Sequence, residues 1–287
     1  MNKGTLLVIM AAVLWGTTGT AQFFAPEGSS PQSVGAMRLV IGSFALAILS
    51  VIGNKKLFAE MPLSAVLLAG FFVALYQITF FHGVSRTGVT VGTLVGIGSA
   101  PVFSGIINLF AYKSVPSNRW LLATMLAIAG STVLLWGDDS ARIDSLGIFL
   151  AMMAGCSYAL YTSIIKGILP GRNALAVTSS VFLVGALFLL PVIITSDIKW
   201  FMTSRGFVVA LHLGVIATAL SYYLFSRGLQ TVQPPTAVTL SLAEPMTASL
   251  LGIFLIGELL TQKIMIGIFM IFAALLLLSL PSKTKAT

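Results

Sequence analysis

Few side chains in this sequence can carry charge, so chemistry must be sought in those that fall inside its long apolar runs. Glu244, in Ala243-Glu244-Pro245, is the sole carboxylate within such a run. A charged side chain at membrane depth costs at least about 2.5 kcal/mol on insertion scales, so such residues face a cavity or a partner. A carboxylate there can hold a proton or anchor an amine. The alternative is an acid near the end of its span, hydrogen-bonded while Pro245 shapes the helix. Arg38 is as costly to bury; its long side chain either snorkels to the outer interface or meets an anionic group in a cavity. Aromatic residues recur at similar depth, at Trp15, Tyr76, Tyr158, Tyr161, Tyr222 and Tyr223. Their faces suit amphiphilic or cationic ligands, although packing or an interfacial belt explains any single one. Gln77 either lines a pore or bonds a neighbouring helix.

Other chemistry has little to work with. His82 and His212 are the two histidines, far apart and without a carboxylate motif, so zinc chemistry has weak support, while either ring could relay a proton. Cys156 stands alone, which excludes a disulfide framework and a cysteine metal site. Gly96-Ile97-Gly98 follows no strand and precedes no suitably spaced acid, so it is no nucleotide fingerprint. Gly92, Gly96, Gly98 and Gly105 read as a close-packing face. No metal or cofactor is expected. The 16 basic residues sit singly or in pairs at the ends of apolar runs, which reads as membrane topology and not as a nucleic-acid surface.

The elements that must position these residues follow from composition. The chain is 57% apolar and 8% charged, against about 25% charged in a soluble domain. Apolar runs long enough to span a bilayer fall at 4–24, 33–53, 63–83, 89–111, 119–136, 145–165, 174–195, 206–226, 235–256 and 263–281. Helices are the expected form, since an open sheet in lipid leaves backbone groups unpaired. The first run follows Lys3 and lacks a convincing cleavage site, so it reads as a retained span.

The runs divide into two sets of five, over 1–137 and 144–281, with an acidic junction between them and a short tail at 282–287. Ser99-Ala100-Pro101 in the first set matches Ala243-Glu244-Pro245 in the second, and Gly42 and Gly83 match Gly185 and Gly228. An odd number of spans per copy forces the copies into opposite orientations, the inverted repeat of many alternating-access proteins. Pro101 and Pro245 each remove a helix hydrogen bond, and are candidates for hinges or unwound backbone beside a site; a packing kink is the alternative. With the N-terminus inside, Lys3, Lys55, Lys56, Lys113, Arg119, Lys166, Arg172, Arg227, Lys283 and Lys285 lie on the cytoplasmic side. Arg86, Arg142, Lys199, Arg205 and Lys263 lie outside. This asymmetry puts both termini in the cytoplasm.

Five segments taken in order, Leu14-Trp15-Gly16, Met37-Arg38-Leu39, Ser99-Ala100-Pro101, Ala243-Glu244-Pro245 and Ile256-Gly257-Glu258, resemble the drug/metabolite transporter superfamily, in particular its EamA-type ten-span members. The resemblance covers essentially the whole chain. It implies an all-α integral membrane fold, ten helices in two inverted five-helix repeats around a central cavity, and export of amino acids, other metabolites or drugs without an ATP site. The sequence departs from internal symmetry where Tyr112-Lys113-Ser114 faces Ile256-Gly257-Glu258, where Ala274 replaces Gly130, and where Ala100 stands opposite Glu244.

The resulting expectation is a non-enzymatic secondary transporter in a bacterial-type inner membrane, exporting amino acids or related zwitterionic compounds by alternating access. Its partners would be a small-molecule substrate, membrane lipid and, if Glu244 couples transport, protons. It would bind no nucleic acid and act as a monomer or weak homodimer. Uncoupled diffusion and lipid or lipid-linked carrier translocation are the alternatives within transport. A lipid-modifying enzyme needs its ionisable groups clustered at one interface, and here they are dispersed; a scaffold needs no polar cavity.

Overall fold

Without water at membrane depth each apolar run must satisfy its own backbone, and among the described residues the chain does so with helices and no strand. The computed structural model describes residues 2–135, 144–257 and 259–280. The acidic junction with Asp138, Asp139 and Arg142, the acid Glu258, and the tail with Lys283 and Lys285 lie outside them.

We number the spans α1 (Lys3–Phe23), α2 (Pro31–Ile52), α3 (Leu63–Thr87), α4 (Val89–Tyr112), α5 (Asn118–Leu135), α6 (Ser145–Ile168), α7 (Ala174–Thr195), α8 (Ser204–Leu229), α9 (Pro234–Ile256) and α10 (Gln262–Ser279). Among the described residues nine are long and apolar enough to cross a membrane by length and composition; α5, with 18 residues, packs along α10. Polar residues set the starts. Asn2 Oδ1 accepts from Thr5 N at 2.7 Å, and Ser30 caps α2 just before Pro31. Such caps satisfy N–H groups that have no partner inside the helix. α3 continues past its expected end at 83 to Thr87, where Gly88 takes a φ of 86° open to glycine and the chain turns into α4.

The packing repeats itself about a pseudo-twofold axis. α2 lies on α7 and α5 on α10, each against its own counterpart. α3 lies on α6 as α1 lies on α8, α4 on α6 as α1 on α9, and α3 on α7 as α2 on α8. In lipid, helices associate by close van der Waals approach, which requires small residues at the crossings. Glycines supply it in facing pairs. A Cβ on Gly4 would lie 3.0 Å from the Gly228 carbonyl and one on Gly228 2.8 Å from that of Gly4. Gly130 and Gly267 do the same for α5 and α10, while Gly42 meets Gly214 and Gly70 meets Gly185. The glycines of α4 are less uniform than expected: Gly92 and Gly105 press on Val84 and Trp120, whereas Gly98 has open space around it, with Leu94 at 4.0 Å.

Basic side chains close the helix ends. Lys166 Nζ donates to the Leu229 and Val232 carbonyls at 2.6 and 3.0 Å, Arg119 to those of Leu277 and Leu280, and Arg205 Nε to Phe24 O. Each meets carbonyls that the end of a helix leaves unpaired. Asp144 caps α6 through the Gly147 N–H at 2.6 Å and pairs with Arg86 Nε at 3.1 Å. These two contacts, the backbone one first, hold its carboxyl below the ordinary aspartate range. Its contribution is therefore present at neutral pH and is lost as pH falls below about 4.

If the glycine pairs hold the halves together, Gly228→Leu, whose Cβ would sit 2.6 Å from Val8 Cγ2, will destabilise the protein by about 1–3 kcal/mol. Gly19→Ala, with nothing within 4 Å of the new carbon, will leave it unchanged or slightly more stable. Thermal unfolding in detergent measures both.

Candidate functional site

The site starts at a break in α9. Pro245 has no N–H to offer Ser241 O, and its ring crowds that carbonyl. The turn before it tightens, with Leu242 N donating to Thr239 O at 3.1 Å and Glu244 N to Ser241 O at 2.9 Å. The helix therefore runs as two segments, Pro234–Leu240 and Ala243–Leu251, and Glu244 lies in the first turn of the second, where the helix dipole favours a negative side chain.

Pro101 does not do likewise. It lies inside the uninterrupted α4, so the expectation of unwound backbone in both halves holds for Pro245 alone. The physical difference is in the neighbours. Ser241 Oγ bonds the Tyr158 hydroxyl at 2.8 Å and donates to Ala237 O at 3.0 Å, which links the turn to α6. Its counterpart Ile97 has no hydroxyl to do so.

Glu244 faces a cavity near the pseudo-twofold axis, walled by Trp15 and Thr18 of α1, Arg38 of α2, Tyr76 of α3, Tyr158 of α6, Tyr222 of α8 and Ser241 of α9. An adjoining space shares Arg38 and the three tyrosines and adds Gln77, Tyr161 and Thr218. Eight of the nine side chains singled out by charge, ring or amide type, all but Tyr223, thus line these two spaces. Volume in which a water centre fits is about 30 Å³ in the first space and about 10 Å³ in the second, room for a few waters.

The rings form a connected cluster. Trp15 meets Tyr158, its counterpart in the other half, edge-on at 6.2 Å, and meets Tyr222 at 4.8 Å. Tyr158 lies 6.0 Å from Tyr76 and 6.5 Å from Tyr161. Tyr223, expected in the same ring set, turns away and accepts from Arg227 Nη1 at 3.0 Å. Being next to Tyr222 on a helix, it points about 100° around the axis.

Arg38 has not snorkelled to the interface. It is 9% exposed, and its Nη2 donates to Gln77 Oε1 at 3.0 Å while Gln77 Nε2 donates to Gly35 O at 2.9 Å. Gln77 thus orients the guanidinium with an interhelical bond, and both alternatives read from its type are met in one residue. Arg38 and Glu244 share the cavity wall, yet the side-chain ion pair among the described residues is Arg86–Asp144. Two unpaired opposite charges separated by aromatic rings can hold a carboxylate at one end and an ammonium at the other, through charge-assisted hydrogen bonds and cation–π contact.

The histidines lie elsewhere. His82 is exposed on α3 with Nδ1 bonded to Ile78 O, and His212 Nε2 pairs with Thr17 Oγ1 at 2.9 Å. Among the described residues no group of three or more metal-ligating side chains occurs. His212 begins a stretch of α8, His212–Leu220, wound wider than an α-helix. Thr18, Thr218 and Ser241 were not singled out by sequence. The available signal was spacing: Thr18 follows Trp15, and Ser241 precedes Glu244, by three positions, which places each pair on one helix face.

Comparison with known proteins agrees with this geometry. The model of the EamA-like transporter family matches residues 2–136 and again 145–280. The chain is 41% identical to the uncharacterized transporter YwfM of Bacillus subtilis, over 100% of this chain and 97% of that one. It is 27% identical to the threonine/homoserine exporter RhtA of Escherichia coli, over 94% and 88%. A solved crystal structure with 16% identity superposes with a TM-score of 0.84 over 96% of each chain, which speaks for the fold. Two matched halves, ten helices in mirrored contact and a cavity on their axis lead to one conclusion: this multi-pass membrane protein belongs to the EamA-like transporter family, within the drug/metabolite transporter superfamily.

Proposed function

We propose that the protein is a secondary transporter that exports amino acids or closely related zwitterionic metabolites by alternating access. The observation that carries this reading is the pair Arg38 and Glu244, opposite in charge, unpaired with one another, and lining one aromatic-walled cavity. A substrate ammonium would bond Glu244 and lie against Trp15 and Tyr222, while its carboxylate would bond Arg38. The similarity to RhtA, the threonine/homoserine exporter, supports the choice of amino acids. Neither catalytic clustering nor a nucleotide motif favours an enzyme or an ATP-driven pump.

Glu244 is also the group we assign to proton coupling. Arg38, Tyr76, Tyr158 and Tyr222 are the charged and titratable groups that line the cavity with it. Protonation of the carboxylate would remove the negative charge that holds the substrate ammonium, so the proton and the substrate would compete for one site. The chain would sit in the cytoplasmic membrane with both termini inside. The ten-to-five distribution of basic residues supports that placement.

In proteoliposomes, flux of labelled amino acids will saturate and will accelerate under an imposed proton gradient. Glu244→Gln will abolish that acceleration; gradient dependence that survives this change contradicts the coupling role. Arg38→Gln will raise KM about tenfold or more, as expected for loss of a charged hydrogen bond of about 1.5–3 kcal/mol. Gln77→Leu, which leaves Arg38 without its acceptor, will lower unfolding free energy by about 1–3 kcal/mol, measured by thermal unfolding in detergent.

A further inference from the structure

The hydrogen-bonding groups of the cavity wall divide into those already used and those left over. Gln77 is fully engaged with Arg38 and Gly35 O, and the Tyr158 and Ser241 hydroxyls engage one another. In the space beside Glu244 three buried atoms are left over, without a partner among the described residues: Arg38 Nε, Trp15 Nε1 and Thr18 Oγ1. A buried polar atom without a partner is rare and unfavourable, and in a ligand cavity it marks a bond reserved for the ligand.

Arg38 Nε belongs with the carboxylate end of a zwitterion, and Glu244 takes the ammonium. Trp15 Nε1 and Thr18 Oγ1 are then surplus to the two groups every amino acid carries. They lie three residues apart on α1, hence on one helix face, and both residues line the cavity beside Glu244. The indole nitrogen only donates, and the hydroxyl donates or accepts. Together they complement a neutral oxygen that accepts from the indole and exchanges a bond with the hydroxyl. The ammonium cannot fill that role, because it has no acceptor.

We propose that Trp15 and Thr18 form a third subsite that selects zwitterions bearing an oxygen on the side chain over alkyl zwitterions of the same shape. This rests on the amino-acid reading above and adds a specificity to it. A site built to bond a substrate hydroxyl rejects the analogue that lacks it, because its own polar groups are then stranded.

Threonine and valine are the informative pair, since they differ by a hydroxyl in place of a methyl. With the full-length protein in proteoliposomes, kcat/KM for threonine will exceed that for valine by about tenfold or more, the factor that one stranded buried donor implies. Trp15→Phe keeps an aromatic ring and removes the N–H; Thr18→Val keeps the shape and removes the hydroxyl. Each will bring the preference, read as the ratio of the two kcat/KM values, down to within about twofold, because threonine loses more than valine. Thr18→Val stands as the test by itself if Trp15→Phe does not fold, as judged by size-exclusion in detergent.

Equal transport of threonine and valine by the wild type would overturn the third subsite and leave the zwitterion reading in place. So would variants that slow both substrates alike, which is the behaviour of a packing residue. Absence of saturable flux for either would overturn both readings.

Discussion

The membrane interior offers no water to a polar group, and most of this structure follows from that constraint. Backbone groups unmet by protein cost several kcal/mol each in hydrocarbon, so the spans among the described residues are helices and none is a strand. Lipid gives helices no hydrophobic reason to associate, so they must gain by close contact. Glycine pairs at the α1–α8, α2–α8, α3–α7 and α5–α10 crossings let backbones touch. What cannot be buried against lipid or backbone collects on the axis, where the two halves leave a space. Arg38, Gln77, Ser241 and Glu244 are there because there is nowhere else at that depth for them to be.

The fold is nearly symmetric and the site is not. At the crossings the repeat is kept: Gly42 corresponds to Gly185 and Gly83 to Gly228. At the cavity it is broken in each charged position. Glu244 has Ala100 as its counterpart, and by the same offset that relates Gly42 to Gly185, Arg38 has Val181, a buried apolar residue. Ser241 has Ile97. Symmetry at the crossings would suit an alternating-access cycle of the kind proposed, whereas a ligand with different ends requires different groups at its two ends. The broken turn before Pro245 follows the same division, since only the half that presents the carboxylate interrupts its helix.

How much of this was legible beforehand depended on the physical range of each signal. Span count, helix type and the two-half organisation are written in long apolar runs, and hydrophobic length needs no tertiary context. Glu244, Arg38 and the rings could be singled out because charge and polar-tipped aromatics are conspicuous in an apolar run. What sequence could not supply was facing direction among close neighbours. Tyr222 and Tyr223 are identical in type and depth, and one turn of helix geometry separates a cavity wall from a contact with Arg227. Nor could it separate Pro101 from Pro245. Both stand at the same place in their repeats, and only the second follows a serine that bonds Tyr158 on another helix. Thr18 and Ser241 were hidden for a related reason. Serine and threonine commonly bond back to their own helix in membranes, as Ser131 and Thr132 do here, so their type alone carries no functional signal.

Arg38 lies in the first half and Glu244 in the second, and this fixes how a zwitterion would bear on the transport cycle. A ligand bonded to both would bridge α2 and α9, so its binding energy would be fully realised only in a state that holds both helices against it. A state that parts the halves on either side keeps one charged contact and loses the other. On the proposed reading the substrate would therefore bind the closed state more tightly than either open one, and that differential is the only means by which a ligand can shift a conformational equilibrium. A bare cation or a bare anion would hold one half alone and would not favour closure. Protonating Glu244 would convert the bridge into a one-sided attachment, so a proton arriving from one face of the membrane would promote release of the substrate toward that face.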